Sequence, residues 1–441
     1  MQTTTDHRLS LDTQATLLLC GHLEKENQTS TKPLTASEYT RLTRWLIREG
    51  LRPANLLEAS GVEHLRRSSA DLPEFNQIER LLQRGSLLAL QVEAWTNQGL
   101  WIIGRSDDAY PARWKEKLKH LSPPILYGIG NPQLLQSGGL AIVGSRDVDA
   151  DGLKFSRDLA ERCVQSSVTV ISGGARGVDQ ASMIGALEVG GNAVGVLADS
   201  LMKAAVSTQY RRFLREGILV LVSPFAPNSG FSVGNAMGRN KLVYTIADWA
   251  VVVDSAAQKG GTWAGAMENL KASWVPVLVR ISDGVSEGNR KLAKQGAIGF
   301  DPAIITNSNG PLAELLGRLL KDGISAPPPD SSPSLFDELS VSARSEHRDG
   351  SHEQRNVNSV GPVEKLDADS FWIEYVWPCI LRLAENQGTL NRAILAEMLG
   401  VRTQQSEDWL KRAADEGKLV KQTRPTGYQL PKSDQLLLLA K

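Results

Sequence analysis

The chain has 441 residues, 41% hydrophobic and 22% charged, an ordinary globular composition at a length that calls for several domains. Its 49 Lys and Arg balance 49 Asp and Glu, so no basic surface advertises nucleic acid, and any cationic groove must be made locally by the fold. The three cysteines stand apart, without Cys-x-x-Cys or Cys/His spacing, which argues against a disulfide framework or a structural zinc site. No apolar run reaches membrane-spanning length, and the polar first ten residues lack a signal-like block. A cytoplasmic protein with no membrane partner is expected.

Residues 1–98 read as a helical domain. Leu42, Trp45 and Leu46 recur at helical spacing between residues 34 and 50, with Gly50 as the C-cap, and residues 78–95 form a second such stretch. Residues 99–130 change character, with short β-like runs at 100–103 and 125–127 around Tyr110-Pro111 and Pro123-Pro124. They look like an extended lead-in to the next domain. From about residue 140 to 320, β-branched runs alternate with helical segments. Strands are expected at 140–143, 168–171, 193–197, 218–222, 249–253 and 275–279, with helices at 153–164, 179–189, 210–215 and 264–271. This rhythm predicts an α/β fold: a Rossmann-like, doubly wound parallel sheet spanning, with its lead-in, residues 99–322.

Residues 323–369, with Pro327-Pro328-Pro329 and many serines, are expected to be a disordered linker. Leu335-Phe336 inside it reads as an incidental apolar pair. Residues 370–432 are compact again. Helices are expected at 371–385, at 391–399 with Thr389 as N-cap, and at 406–416. A hairpin follows, turning at Pro425-Thr426-Gly427, and together these make a winged helix-turn-helix.

Three loops each follow a predicted strand, where open parallel sheets hold their ligands. They are Gly144-Ser145-Arg146, then Ser172-Gly173-Gly174-Ala175-Arg176-Gly177, then Lys259-Gly260-Gly261-Thr262. Glycines let a backbone approach closely, and free amides at a helix start attract anions. Arg146, Arg176 and Lys259 add full charges at the same rim, and Arg239-Asn240-Lys241 supplies a fourth cluster at the start of a helix. Phosphate is the natural ligand. A single glycine turn would be read as chain reversal alone; three with cations favour binding.

All six histidines lie outside residues 138–321, so the core has no Ser-His-Asp or Cys-His arrangement of its own. It also lacks the G-x-G-x-x-G dinucleotide pattern and the Walker A lysine motif. Catalysis and a bound cofactor are not expected.

The motifs AIVGSR (141–146), SGGARGVD (172–179), GRNKL (238–242) and GGTWAGA (260–266) occur in an order that resembles the DNA-processing protein A (DprA/Smf) family, over about residues 99–300. The resemblance implies a dimeric recombination mediator that binds single-stranded DNA. It further implies displacement of single-strand-binding protein and loading of a RecA-type recombinase, notably in natural transformation. Arg146, Arg176, Arg239, Lys241 and the 259–262 loop would then contact phosphate or support the rim. This sequence departs from the family pattern at Ala198-Asp199-Ser200, at Lys241 and at Trp263.

Two rivals remain open. One is a nucleotide-binding sensor or phosphoribohydrolase-like enzyme on the same core, although Glu268 falls six residues past Thr262 instead of three. The other is a sequence-specific regulator acting through the winged helix, where Glu407 and Asp408 would face phosphates unfavourably.

Overall fold

The computed structural model describes residues 9–23, 31–68, 72–308 and 310–325, and in the C-terminal region 380, 381, 384, 389–399, 403–416, 418–423 and 426–429. The chain falls into two compact units, residues 1–330 and 331–441.

The first unit is built on a sheet of nine strands. They are β1 (Trp101–Gly104), β2 (Ile125–Gly130), β3 (Leu140–Val143), β4 (Val170–Ser172), β5 (Ala193–Val196), β6 (Leu219–Ser223), β7 (Trp249–Val252), β8 (Val277–Arg280) and β9 (Ile298–Phe300). Their spatial order is β1-β2-β6-β5-β4-β3-β7-β8-β9. From β6 to β9 every pairing is parallel, which makes the expected doubly wound core. The order reverses direction between β3 and β7, and the crevice outside the carboxyl ends of strands at such a switch point is where a ligand fits.

The stretch expected to be a lead-in belongs to the sheet. β2 pairs antiparallel with β6, and β1 with β2. The Trp101 indole lies over Gly128 and donates to the Gly130 carbonyl at 3.0 Å; a Cβ at Gly128 would lie 2.2 Å from that ring.

Fifteen α-helices accompany the sheet among the described residues of this unit. The first five are α1 (Leu11–Cys20), α2 (Ala36–Arg48), α3 (Ala59–Arg66), α4 (Phe75–Leu82) and α5 (Gly85–Asn97). The stretch read as one helix over 78–95 is thus two. α6 (Ala112–Leu118), α7 (Ala150–Gln165), α8 (Val178–Glu188), α9 (Leu201–Val206), α10 (Thr208–Glu216) and α11 (Val233–Ile246) follow. α12 (Gly260–Ala272), α13 (Glu287–Lys294), α14 (Pro302–Asn307) and α15 (Leu312–Ser325) complete the unit.

Strand periodicity sends alternate residues to opposite layers. Ala141, Val143, Val252 and Val279 face one core with Leu242 and Val243 of α11 and Leu292 of α13. Leu140, Ile142, Val251 and Leu278 face another with Phe155 and Leu159 of α7. A third core joins Ile102, Tyr127, Ala193 and Leu221 to Leu17 of α1, Trp95 of α5 and Phe213 of α10. Helices α2 and α4 close their own core around Leu42, Trp45, Leu46, Ile78 and Leu81.

The second unit, taken by itself, holds α16 (Arg392–Leu399), α17 (Thr403–Asp415) and a hairpin of β10 (Val420–Thr423) with β11 (Thr426–Gln429). The side chain that accepts from the first turn of α16 is Asn391, bonded to the Ile394 amide at 3.0 Å, and not Thr389. Leu390, Leu395, Leu410 and Leu419 form its core. The expected linker from residue 326 onward, with Leu335-Phe336, and most of the helix expected at 371–385 lie outside the described residues. Among the described residues no helix is long and apolar enough to cross a membrane.

Candidate nucleic-acid interface

The three glycine loops meet in one cleft of about 370 Å³ at the carboxyl ends of β3, β4 and β7. Each glycine that shapes it has a steric reason. Gly177 takes φ +87°, and a Cβ there would lie 2.4 Å from the Ser145 carbonyl oxygen, so the second loop rests closely on the first, and the Val178 amide donates to that same oxygen. A Cβ at Gly173 would lie 1.6 Å from an Arg239 Nη, so glycine is what leaves room for that guanidinium. In the third loop Gln258 and Gly260 both have positive φ, at 56° and 77°. The amide of Asn240 donates to the Gly261 carbonyl at 2.9 Å, which ties this loop to α11.

The floor of the cleft is an ion pair. Arg239 and Asp179 are both almost fully buried, with Nη1 and Oδ2 4.0 Å apart. Burial pushes the Asp179 carboxyl up, and the charge of Arg239 opposes the shift. Burial likewise pulls the Arg239 guanidinium down, against the attraction of Asp179. Arg239 was expected to begin a helix on the rim. In the structure the helix starts six residues earlier, at Val233, with the Ser232 hydroxyl accepting from the Asn235 amide. Arg239 therefore sits mid-helix and points inward.

The rim is exposed. The Arg146 guanidinium stacks 5.0 Å over the ring of Phe231, an aromatic residue 53% exposed to solvent. Arg176 reaches across to Asp147, 2.5 Å away, with both side chains open to solvent. Lys259 is exposed, and α12, which it precedes, has no side-chain cap on its first amides. Gly260, Gly261 and Thr262 from that first turn line the cleft.

Gly144, Ser145, Arg146, Arg239, Asn240 and the loop from Lys259 to Thr262 line this cleft, while Gly173, Gly174 and Arg176 line a second compartment beside it. Three expected residues line neither. Ser172 is buried below the loop, donating to the Ile142 carbonyl at 2.6 Å. Gly177 acts from behind, as the seat of loop on loop. Lys241 follows Arg239 by two residues on a helix, which turns it to roughly the opposite side.

Sequence reading missed Phe231, Val233 and Met237, all exposed apolar residues at the mouth, and the partners Asp147 and Asp179. Asp179 stood within a motif, but a carboxylate in the sequence carries no sign that it will be buried.

Residues 101–304 match the family model described as DNA recombination-mediator protein A. Over that core the chain is similar to the DprA/Smf proteins. It is 31% identical to a DNA processing protein DprA of Mycobacterium tuberculosis over 185 residues, 40% of this chain. That match spans 46% of the mycobacterial protein, less than half its length. Against the Smf protein of Escherichia coli identity is 27% over 275 residues, 61% of this chain and 70% of the relative. The X-ray structure of DNA processing protein A from Streptococcus pneumoniae superposes with a TM-score of 0.49 at 18% identity. It covers 60% of this chain and 90% of that one.

Proposed function

We propose that the cleft holds the phosphate backbone of single-stranded DNA and that the protein serves recombination as a mediator, without catalysis of its own. One observation carries the reading: three glycine turns bring Arg146 and Lys259 to one opening beside the uncapped start of α12. Such a surface meets anionic oxygens with backbone amides and full charges, and it reads no bases. The match of residues 101–304 to a family model described as DNA recombination-mediator protein A supports the same reading. The acids present do not suit hydrolysis. Asp179 is held by Arg239, Asp147 is engaged by Arg176, and Glu268 is exposed on α12 and does not line the cleft.

Assembly as a homodimer, displacement of single-strand-binding protein and hand-over to a RecA-type recombinase are parts of the same proposal, as is a cytoplasmic location. The second unit is proposed as a winged helix-turn-helix giving auxiliary contact. Glu407 at its second helix is already engaged by Arg392 at 2.9 Å and Lys411 at 3.1 Å, which blunts its repulsion of phosphate.

The test is fluorescence anisotropy of a 5′-labelled oligothymidylate titrated with the full chain at several salt concentrations. Arg146→Ala is expected to weaken binding and to lower the log–log salt slope by about 0.7, one phosphate contact on a single strand. Wild-type affinity and slope in an Arg146→Ala, Lys259→Ala double variant would overturn the assignment.

A further inference from the structure

Beside the cleft lies the second compartment, about 390 Å³, with features that backbone binding does not use. The Arg146–Phe231 stack is the wall both spaces share. The far wall comes from Leu197, Ala198 and Asp199, at and just past the carboxyl end of β5, where this chain departs from the family pattern. Tyr210 of α10 lines the space while only 5% exposed, and its hydroxyl has no hydrogen-bond partner. Nε of Arg239, 6% exposed at the boundary, has none either. A buried polar atom left unpaired costs free energy that a bound polar ligand would recover. Burial pushes the Tyr210 phenol up to about 12, so at neutral pH it keeps its proton and can both donate and accept.

We propose that this compartment seats one nucleoside monophosphate unit. Its phosphate rests on the Gly174 turn with Arg146 and Arg176, and its sugar hydroxyl meets Asp199 and the Tyr210 hydroxyl. A carboxylate at the end of a strand beside a glycine phosphate loop is the arrangement by which open α/β sheets hold sugar hydroxyls. Leu197 and Phe231 give apolar surface for a base. The volume falls within the range of small-molecule sites. Two sources present the same group, a 5′-phosphate on a sugar with a free 3′-hydroxyl: free nucleotide, and the 3′-terminal nucleotide of a strand.

The proposal shares Arg146 with the phosphate cleft and so rests on that reading, but its test separates the two. The full chain is titrated against a 5′-fluorescein oligothymidylate ending in a 3′-hydroxyl and against the same strand ending in a dideoxynucleotide. Thymidine monophosphate and its dideoxy analogue are titrated by calorimetry. The 3′-hydroxyl strand, the free monophosphate or both are expected to bind at least threefold tighter than the dideoxy counterpart. Tyr210→Phe, which keeps the ring, and Asp199→Ala are expected to erase that preference while affinity for the dideoxy strand stays at its wild-type value. A preference confined to the strand assigns the seat to strand ends, and one confined to the mononucleotide assigns it to free nucleotide. No preference with either probe, or a preference that survives both variants, overturns the seat even while the dideoxy strand still binds. Failure of the dideoxy strand to bind overturns the cleft reading instead.

Discussion

The floor and the rim of the cleft use the same chemistry in opposite relations to water. At the floor, Arg239 and Asp179 are sealed among loops and helix, and each is tolerable only because the other is present. At the rim, Arg146 and Arg176 keep their hydration, and their contacts with Phe231 and Asp147 can be exchanged for a ligand at little cost. A cationic residue in a binding loop is thus either scaffold or contact, and burial decides which.

The sharpest way to break this division is Arg239→Met. It leaves a buried carboxylate without its partner, and a loss of about 3–5 kcal/mol in unfolding free energy is expected by chemical denaturation. The loss should depend on pH. Because burial already raises Asp179 above its unfolded value, the folded state holds that proton more tightly than the unfolded chain does. Without Arg239 the carboxyl rises further, so the deficit is largest at neutral pH and shrinks as acid protonates Asp179. A deficit constant from pH 7 to pH 4 would put the energetic role of Arg239 elsewhere than in the pair.

Gly173→Ala attacks the same floor sterically, since the new methyl collides with the Arg239 guanidinium. A loss of about 1–3 kcal/mol is expected from thermal melts, with a fall in DNA affinity only through disorder of the loop. Arg146→Ala at the rim should reverse the pattern, with unfolding free energy within about 0.5 kcal/mol of wild type. Its DNA affinity at low salt should fall about tenfold, the scale of one charge-assisted contact. The smallest effect belongs to Asp147→Ala, which frees Arg176. Stability should move by less than about 1 kcal/mol, as for exposed pairs, while single-strand affinity rises a few-fold in the anisotropy titration. A fall in affinity would instead make Asp147 the residue that aims Arg176.

The cleft loops were legible in the sequence because glycine after a β-branched run is a local signal, and the loops formed where the strands ended. What failed was depth. Arg239 and Lys241 look alike in the sequence, and only the start of α11 decides which one faces in. That start was hidden because Gly234 and Gly238, with exposed Val233 and Met237, blur the helical pattern. β1 and β2 were visible as short runs, but their place in the sheet depends on β6, about ninety residues further on in the chain and beyond the reach of local periodicity. β9 has three residues around Gly299, too few to register as a strand.

The antiparallel pair of β1 and β2 also covers the edge of β6. A fragment beginning at Leu140 would retain every loop of the cleft, yet it would strip the partner from β6 and bare a ladder of amides and carbonyls beside Leu219 and Leu221. Exposed strands of that kind recruit one another. Trimming the protein to its apparent binding core should therefore yield aggregates, because residues 101–130 act as a plug against self-templating.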